Sequence, residues 1–201
     1  MLRVGLTGGL ASGKSFIAGV LERLGCHVIH ADELGHEAIR PGGEAYDAVV
    51  AEFGRDILNE DASIDRRRLA ALVFDHPERL ETLNRLVHPA VFHKQDALIR
   101  EAETKDPRGI AVVEAAIMYE TGSHTRYQKM IVAVCREQQQ IERAMKRDQL
   151  DRDAVLARLR HQLPLAQKAA LADFVIDTSG TKAETTRQTE AVYRQLRSLA
   201  G

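Results

Sequence analysis

Residues Gly8-Gly9-Leu10-Ala11-Ser12-Gly13-Lys14-Ser15 constrain the fold more than any other part of the chain. They satisfy G-x-x-x-x-G-K-[ST], the P-loop, whose backbone N–H groups wrap phosphate. Such a loop belongs between a buried strand and a helix N-terminus, where unpaired N–H groups and the helix dipole both favour a polyanion. The flanks agree. Leu2-Arg3-Val4-Gly5-Leu6-Thr7 is short and mostly apolar, as a buried strand should be. Downstream, Ile17, Val20, Leu21 and Leu24 share a helical face, and Gly25 ends the run. The motif thus points to a nucleoside triphosphate such as ATP as ligand, and to Mg²⁺ with it.

The rest of the chain predicts four more short apolar strands: 27–30, 110–113 ending at Glu114, 129–134 and 174–177. Helices are expected at 33–39, stopped by Pro41-Gly42-Gly43, then at 45–53, at 65–74 with Asp65 as cap, and at 77–87. Pro89 is expected to break the run, which resumes over 91–103. Further helices are expected at 137–148, 152–161, 165–172 and 182–199. Strands alternating with helices predict an α/β fold, a parallel five-stranded sheet with helices on both faces. The stretch from about 33 to 105 reads as a helical insertion between strands. Ligands in such sheets bind at the carboxyl ends of strands. Asp32, Glu114, the segment after Val134 and the segment from Asp177 are therefore where chemistry is expected.

Composition narrows the function classes. The net charge is −1 over 201 residues, which argues against a general nucleic-acid binder. There are no tryptophans and few other aromatics, so platforms for base stacking are not expected. Cys26 and Cys135 are far apart, which suggests a reducing compartment and no disulfide framework. No apolar run is long enough to span a membrane and no signal peptide is read at the N-terminus, so a cytoplasmic protein is expected.

Several side chains carry candidate chemistry. Lys14 would set a positive charge on the β- and γ-phosphates, and the Ser15 hydroxyl would ligate Mg²⁺. Asp32, at the end of the second strand, could orient an attacking hydroxyl, take its proton or hold a metal-bound water; it could also cap the helix that follows, and the two roles can coexist. His27, His30, Asp32 and His36 do not have the spacing of a transition-metal site. His30 reads better as a partner of Asp32. Gln140, Arg143 and Arg147 share a helical face. The two arginines could reach over phosphates or form a solvated charged surface. Arg66-Arg67-Arg68, Arg79 and Arg85 make the insertion basic, which suits an anionic second substrate or an ordinary charged surface. Glu114 could hold Mg²⁺ or its waters, and Glu120 reads as a loop residue or a helix cap.

Taken in order, these residues resemble the dephospho-CoA kinase family. The resemblance begins at Gly5–Ser15. It continues through His30-Ala31-Asp32 with Arg40-Pro41-Gly42, and Ile64-Asp65-Arg66 with Leu69 and Val73-Phe74. Leu83-Asn84, His88-Pro89 and Tyr119-Glu120-Thr121-Gly122 follow. Gln140, Arg143, Arg147 and Gln162 come next, and Ala172–Asp177 closes the set. It spans essentially the whole chain. The resemblance implies a P-loop kinase core at 1–32, 106–136 and 173–201. It also implies a helical domain at 33–105 that binds the CoA substrate, and a helical lid at 137–172. It implies phosphorylation of the ribose 3′-hydroxyl of dephospho-CoA by ATP. By the same carry-over, Asp32, Lys14 and Arg143 are catalytic. Leu10, Ala11, Ser12, Gly13, Lys14, Ser15, Phe16 and Arg147 bind the nucleotide. Asp32, Arg66, His88 and Pro89 bind the acceptor, and Ser15 binds Mg²⁺. The chain departs from the family pattern at His30, where an Asp is usual. It departs again at Glu114-Ala115-Ala116, where Asp-x-Pro is usual, and at Thr178, where Asn is common.

Other readings remain at this stage. A kinase for nucleosides or nucleotides would share the loop. Asp32-Glu33-Leu34-Gly35 imitates part of a GTPase signature, but no Asn-Lys-x-Asp occurs. An acidic strand resembling that of a motor ATPase lacks the basic surface such a protein needs.

Overall fold

Five strands form one parallel sheet in the order β2-β3-β1-β4-β5. They are β1 (Leu2–Gly8), β2 (His27–His30), β3 (Ile110–Glu114), β4 (Lys129–Val134) and β5 (Phe174–Asp177). The computed structural model describes residues 1–73 and 76–201. β1 takes the central place because almost every residue in it is buried, on both faces. Leu2, Val4 and Leu6 join a core with Ile17, Ala18 and Leu21 of α1 (Lys14–Arg23) and Val192 and Leu196 of α9 (Lys182–Ala200). Residues of the opposite parity, Thr7, Val113 and Val132, are buried as well, so the sheet is covered on both faces.

Parallel pairing puts all five carboxyl ends on one edge. In register, Leu6 lies beside Glu114 and Ile131, and His30 lies beside Glu114. The P-loop therefore emerges in the middle of that edge.

The described residues divide into two compact units, residues 1–30 with 99–201, and residues 31–98. The first holds the sheet together with α1, α6 (Glu137–Asp148), α7 (Arg152–Arg160), α8 (Leu165–Ala170) and α9. The second is helical: α2 (Ala31–Ala38), α3 (Tyr46–Phe53), α4 (Arg66–Val73) and most of α5 (Pro77–Lys105). The divisions fall after His30 and Leu98, against 32 and 105 in the sequence reading.

Asp65 caps α4 as expected, its Oδ1 accepting from the N–H groups of Arg67 and Arg68. The expected helix end at Phe74 lies outside the described residues. Two expectations are corrected. Pro89 does not break its helix; α5 runs through it. Proline removes one backbone donor, but Ala90 and Val91 beside it are buried, and that packing holds the helical path. Asp32 is not a cap, because α2 begins at Ala31 with no loop after β2, which puts Asp32 inside the first turn. Finally, two single 3₁₀ turns, 55–57 and 123–126, and a Leu58–Ile64 bridge had no periodic signal to announce them.

Candidate active site

The loop after β1 is built around Gly13. This residue caps α1 in the left-handed region, at φ 89°, where a side chain would be strained. A Cβ there would also press on Thr178 at 3.0 Å. Ala11 holds φ 53°, so the loop crest departs twice from ordinary backbone. The first turn of α1 carries no acidic residue, which leaves the positive end of the helix for an anion. Lys14 is nearly buried, and its ammonium donates to the Gly9 carbonyl at 2.9 Å. Ser12 is fully buried and its hydroxyl has no hydrogen-bond partner among the described residues.

At the edge of the loop, Ser15 donates its hydroxyl to Glu114 Oε1 at 3.0 Å. The other Glu114 oxygen lies 2.6 Å from His30 Nδ1. This corrects the reading of His30 as a partner of Asp32. Alternate residues share a face only along a strand, and β2 stops at His30. His30 instead meets the residue beside it in register on β3. A hydroxyl and a carboxylate within hydrogen-bonding distance form a pair of hard oxygen donors. Mg²⁺ takes such donors and fills its other positions with water and phosphate oxygens. The residues present fit that ion. Among the described residues no cluster of three or more His, Cys, Asp or Glu side chains is suited to a metal.

Helices α6 to α8 and their loops are fastened onto the P-loop. Gln140 donates to the Leu10 carbonyl at 2.8 Å, and Gln162 accepts from the Leu10 N–H at 2.8 Å. The Leu10 N–H expected to face phosphate is therefore engaged by Gln162. A Cβ on Gly9 would collide with the Gln140 amide, so glycine there admits the clamp. Behind the loop, Lys168 is fully buried. Its ammonium reaches the carbonyls of Gly8 at 3.3 Å and Ala116 at 2.8 Å, and the Glu120 carboxylate at 2.7 Å. Glu120 also accepts from the Leu163 N–H. It lies in a turn, as the loop reading expected, and its carboxylate joins that turn to α8. Lys168 escaped the sequence reading because nothing in Leu165–Ala170 marks it as buried; the partner lies 48 positions away in sequence.

The two arginines of α6 diverge. Arg143 is half-buried and donates to the Thr178 hydroxyl at 3.0 Å and its carbonyl at 2.7 Å. Arg147 is exposed and pairs with Asp148 through two hydrogen bonds, at 2.7 and 3.0 Å. That pairing, with Arg158 beyond, holds the Asp148 carboxyl below its usual range. Phe16 lies under Lys182, whose ammonium is 5.7 Å from the ring centre. A cavity of about 610 Å³ opens beside Gly9, lined among others by Gln140, Leu156, Leu159, Gln162 and Leu163.

In the helical unit, Asp32 is exposed in the first turn of α2, where a carboxylate suits the helix dipole. Burial pushes His36 below its ordinary pKa, and Arg66 and Arg40 push it further against the pull of Asp32 and Glu33. Asp32, Arg40 and Arg66 thus lie within electrostatic reach of one imidazole. Arg68 instead holds local structure, donating to the carbonyls of Asp56 and Leu58. His88 is half-buried against Phe92, ring centres 5.6 Å apart, and burial lowers its pKa. Pro89 beside it is exposed.

Comparison with known proteins bears on the family and the fold. A family model described as dephospho-CoA kinase matches residues 2–184. The dephospho-CoA kinase of Geobacter metallireducens is 40% identical over 195 residues, covering 97% of this chain and 96% of that one. The crystal structure of TT1252 from Thermus thermophilus superposes with a TM-score of 0.80 at 30% identity, covering 97% of both chains. A dephospho-CoA kinase from Campylobacter jejuni has a TM-score of 0.62, covering 96% of both chains; at 24% identity it speaks for the fold.

Proposed function

The chain belongs to the dephospho-CoA kinase family, and from that premise we propose how its residues move the γ-phosphoryl group of ATP to the ribose 3′-hydroxyl of dephospho-CoA. The observation that carries the proposal is the P-loop, with its left-handed Gly13, an α1 N-terminus free of acidic residues, and Lys14 folded onto it.

Phosphoryl transfer needs little covalent chemistry from a protein; positioning and charge neutralisation dominate. The N–H groups of the loop and the first turn of α1 hold the polyphosphate, those of Ser12 and Phe16 by exchanging the Gly9 and Gly13 carbonyls for phosphate oxygens. Lys14 exchanges the Gly9 carbonyl for β- and γ-phosphate oxygens, which are stronger acceptors for an ammonium. Arg143 adds a second fixed cation. Arg147 serves the same phosphates once it leaves Asp148. Ser15, with Glu114 beside it, would hold Mg²⁺, which when bound neutralises charge on the phosphate oxygens. Asp32 accepts a hydrogen bond from the 3′-hydroxyl and takes its proton as the oxygen attacks phosphorus and ADP leaves. Arg66, His88 and Pro89 contact the acceptor. Helices α6 to α8 act as the lid that excludes water and suppresses ATP hydrolysis.

No helix among the described residues is long and apolar enough to cross a membrane. Cys26 and Cys135 form no disulfide, which supports residence in the reducing cytoplasm.

The test is an assay of ADP release with and without dephospho-CoA, and with nucleoside monophosphates as competing acceptors. Release that depends on dephospho-CoA is expected. Asp32→Ala and Lys14→Ala should each lower turnover by at least about a hundredfold. Near-normal turnover in a folded Asp32→Ala protein would remove Asp32 from the mechanism, and equal rates on nucleoside monophosphates would reassign the acceptor.

A further inference from the structure

Thr178 follows β5 directly, and its backbone N–H is tied to the Val134 carbonyl at the end of β4. The residue is 6% exposed. Its hydroxyl donates to the Ser12 carbonyl in the P-loop at 2.8 Å. The same oxygen accepts from Arg143 Nη1, and the Thr178 carbonyl accepts from Arg143 Nη2. The direction of each bond is forced. A guanidinium can only donate and a carbonyl can only accept, so the single hydroxyl proton must point at Ser12. The side chain also fills the space over Gly13 that a Cβ there would need. One buried residue thus links α6, the sheet edge and the nucleotide loop.

We propose that Thr178 is a positioning residue that fixes the Arg143 guanidinium relative to the P-loop. The inference rests on the reading of Arg143 as a phosphate-binding cation. Two of the five guanidinium N–H groups are spent on Thr178. This leaves three to meet phosphate oxygens from a fixed base. A long arginine side chain otherwise loses rotamer freedom each time it engages a ligand. Held in advance, it is ready for charge that develops in the transition state. In this role Thr178 acts on the phosphates through Arg143, with its own hydroxyl anchored on the Ser12 carbonyl.

Two variants separate the hydroxyl from the shape. Thr178→Val keeps the branched packing over Gly13 and deletes both hydroxyl bonds. Thr178→Ser deletes the methyl and keeps the bonds. With ATP and dephospho-CoA at saturation, Thr178→Val is expected to lower kcat at least about tenfold, the scale of one hydrogen bond to a charged group. Its KM for dephospho-CoA should stay within about twofold, and Thr178→Ser should recover most of the lost kcat. In an Arg143→Ala background, Thr178→Val should add less than about threefold, because the two act as a unit. If the Val protein does not fold by circular dichroism, Thr178→Ala, which leaves room for a water at the Ser12 carbonyl, takes its place. Equal losses in Val and Ser, or an undiminished loss in the Arg143→Ala background, would overturn the positioning role. Near-native kcat in Thr178→Val with Arg143→Ala impaired overturns this inference alone. Near-native kcat in Arg143→Ala overturns the reading of Arg143 and this inference with it.

Discussion

Replacing Lys168 by methionine is expected to destabilise the protein more than almost any other single polar change. The ammonium is fully buried and meets two carbonyls and a carboxylate. Methionine keeps the unbranched stem as far as the ε position and removes the ammonium with all three bonds. The Ala116 carbonyl keeps the Thr7 hydroxyl, at 3.2 Å. Among the described residues Glu120 keeps only the Leu163 N–H, on Oε1, and its Oε2 already lacks a partner. An uncompensated carboxylate in such a place costs about 3–5 kcal/mol. At about 2–4 °C per kcal/mol for a chain of this size, the melting temperature should fall by about 6–20 °C. Urea unfolding followed by far-UV circular dichroism at pH 7 gives the free energy directly. Adding Glu120→Gln removes the stranded charge, so the double variant should recover part of the loss, with a coupling of at least about 1 kcal/mol. A loss under about 1 kcal/mol for Lys168→Met, or strict additivity in the double variant, would refute the reasoning. Either result would mean that Glu120 reaches water once its partner is gone.

Two further outcomes follow from the helical unit. Pro89 sits inside α5 and cannot donate to the backbone carbonyl four residues back, so Pro89→Ala should stabilise the protein by about 1–3 kcal/mol in urea unfolding; a loss of stability would mean the proline shapes the helix path that α5 needs. His88 has a pKa lowered from its ordinary 6.5 by burial. The unfolded chain therefore takes up this proton first, so stability is fully present above about pH 6.5 and is lost as pH falls through the lower folded value. Urea titrations between pH 8 and 5 should show that slope and show it reduced in His88→Asn; an unchanged slope would clear His88 of the effect.

The elements of the fold were legible because their signals are local. Strands 129–134 and 174–177 are short apolar runs, and helices at 137–148 and 182–199 carry their own periodicity. Asp65 could be recognised as a cap from its neighbours alone. Pro89 misled because a local rule, that proline ends a helix, yielded to the burial of Ala90 and Val91. Asp32 misled differently: the turn expected between β2 and α2 is absent, so the cap position does not exist.

The phosphate loop, its lysine and its serine are written in eight consecutive residues, because backbone conformation and the start of a helix are decided by near neighbours. The candidate site around that loop is not. Gln140 and Gln162 on Leu10, His30 on Glu114, Lys168 on Glu120 and Arg143 on Thr178 join residues 35 to 152 positions apart. Each polar side chain among them, read alone, fits an exposed helix or loop equally well. Only the parallel sheet, by bringing five carboxyl ends to one edge, removes them from water, and removal from water is what gives a polar pair its direction and its partner.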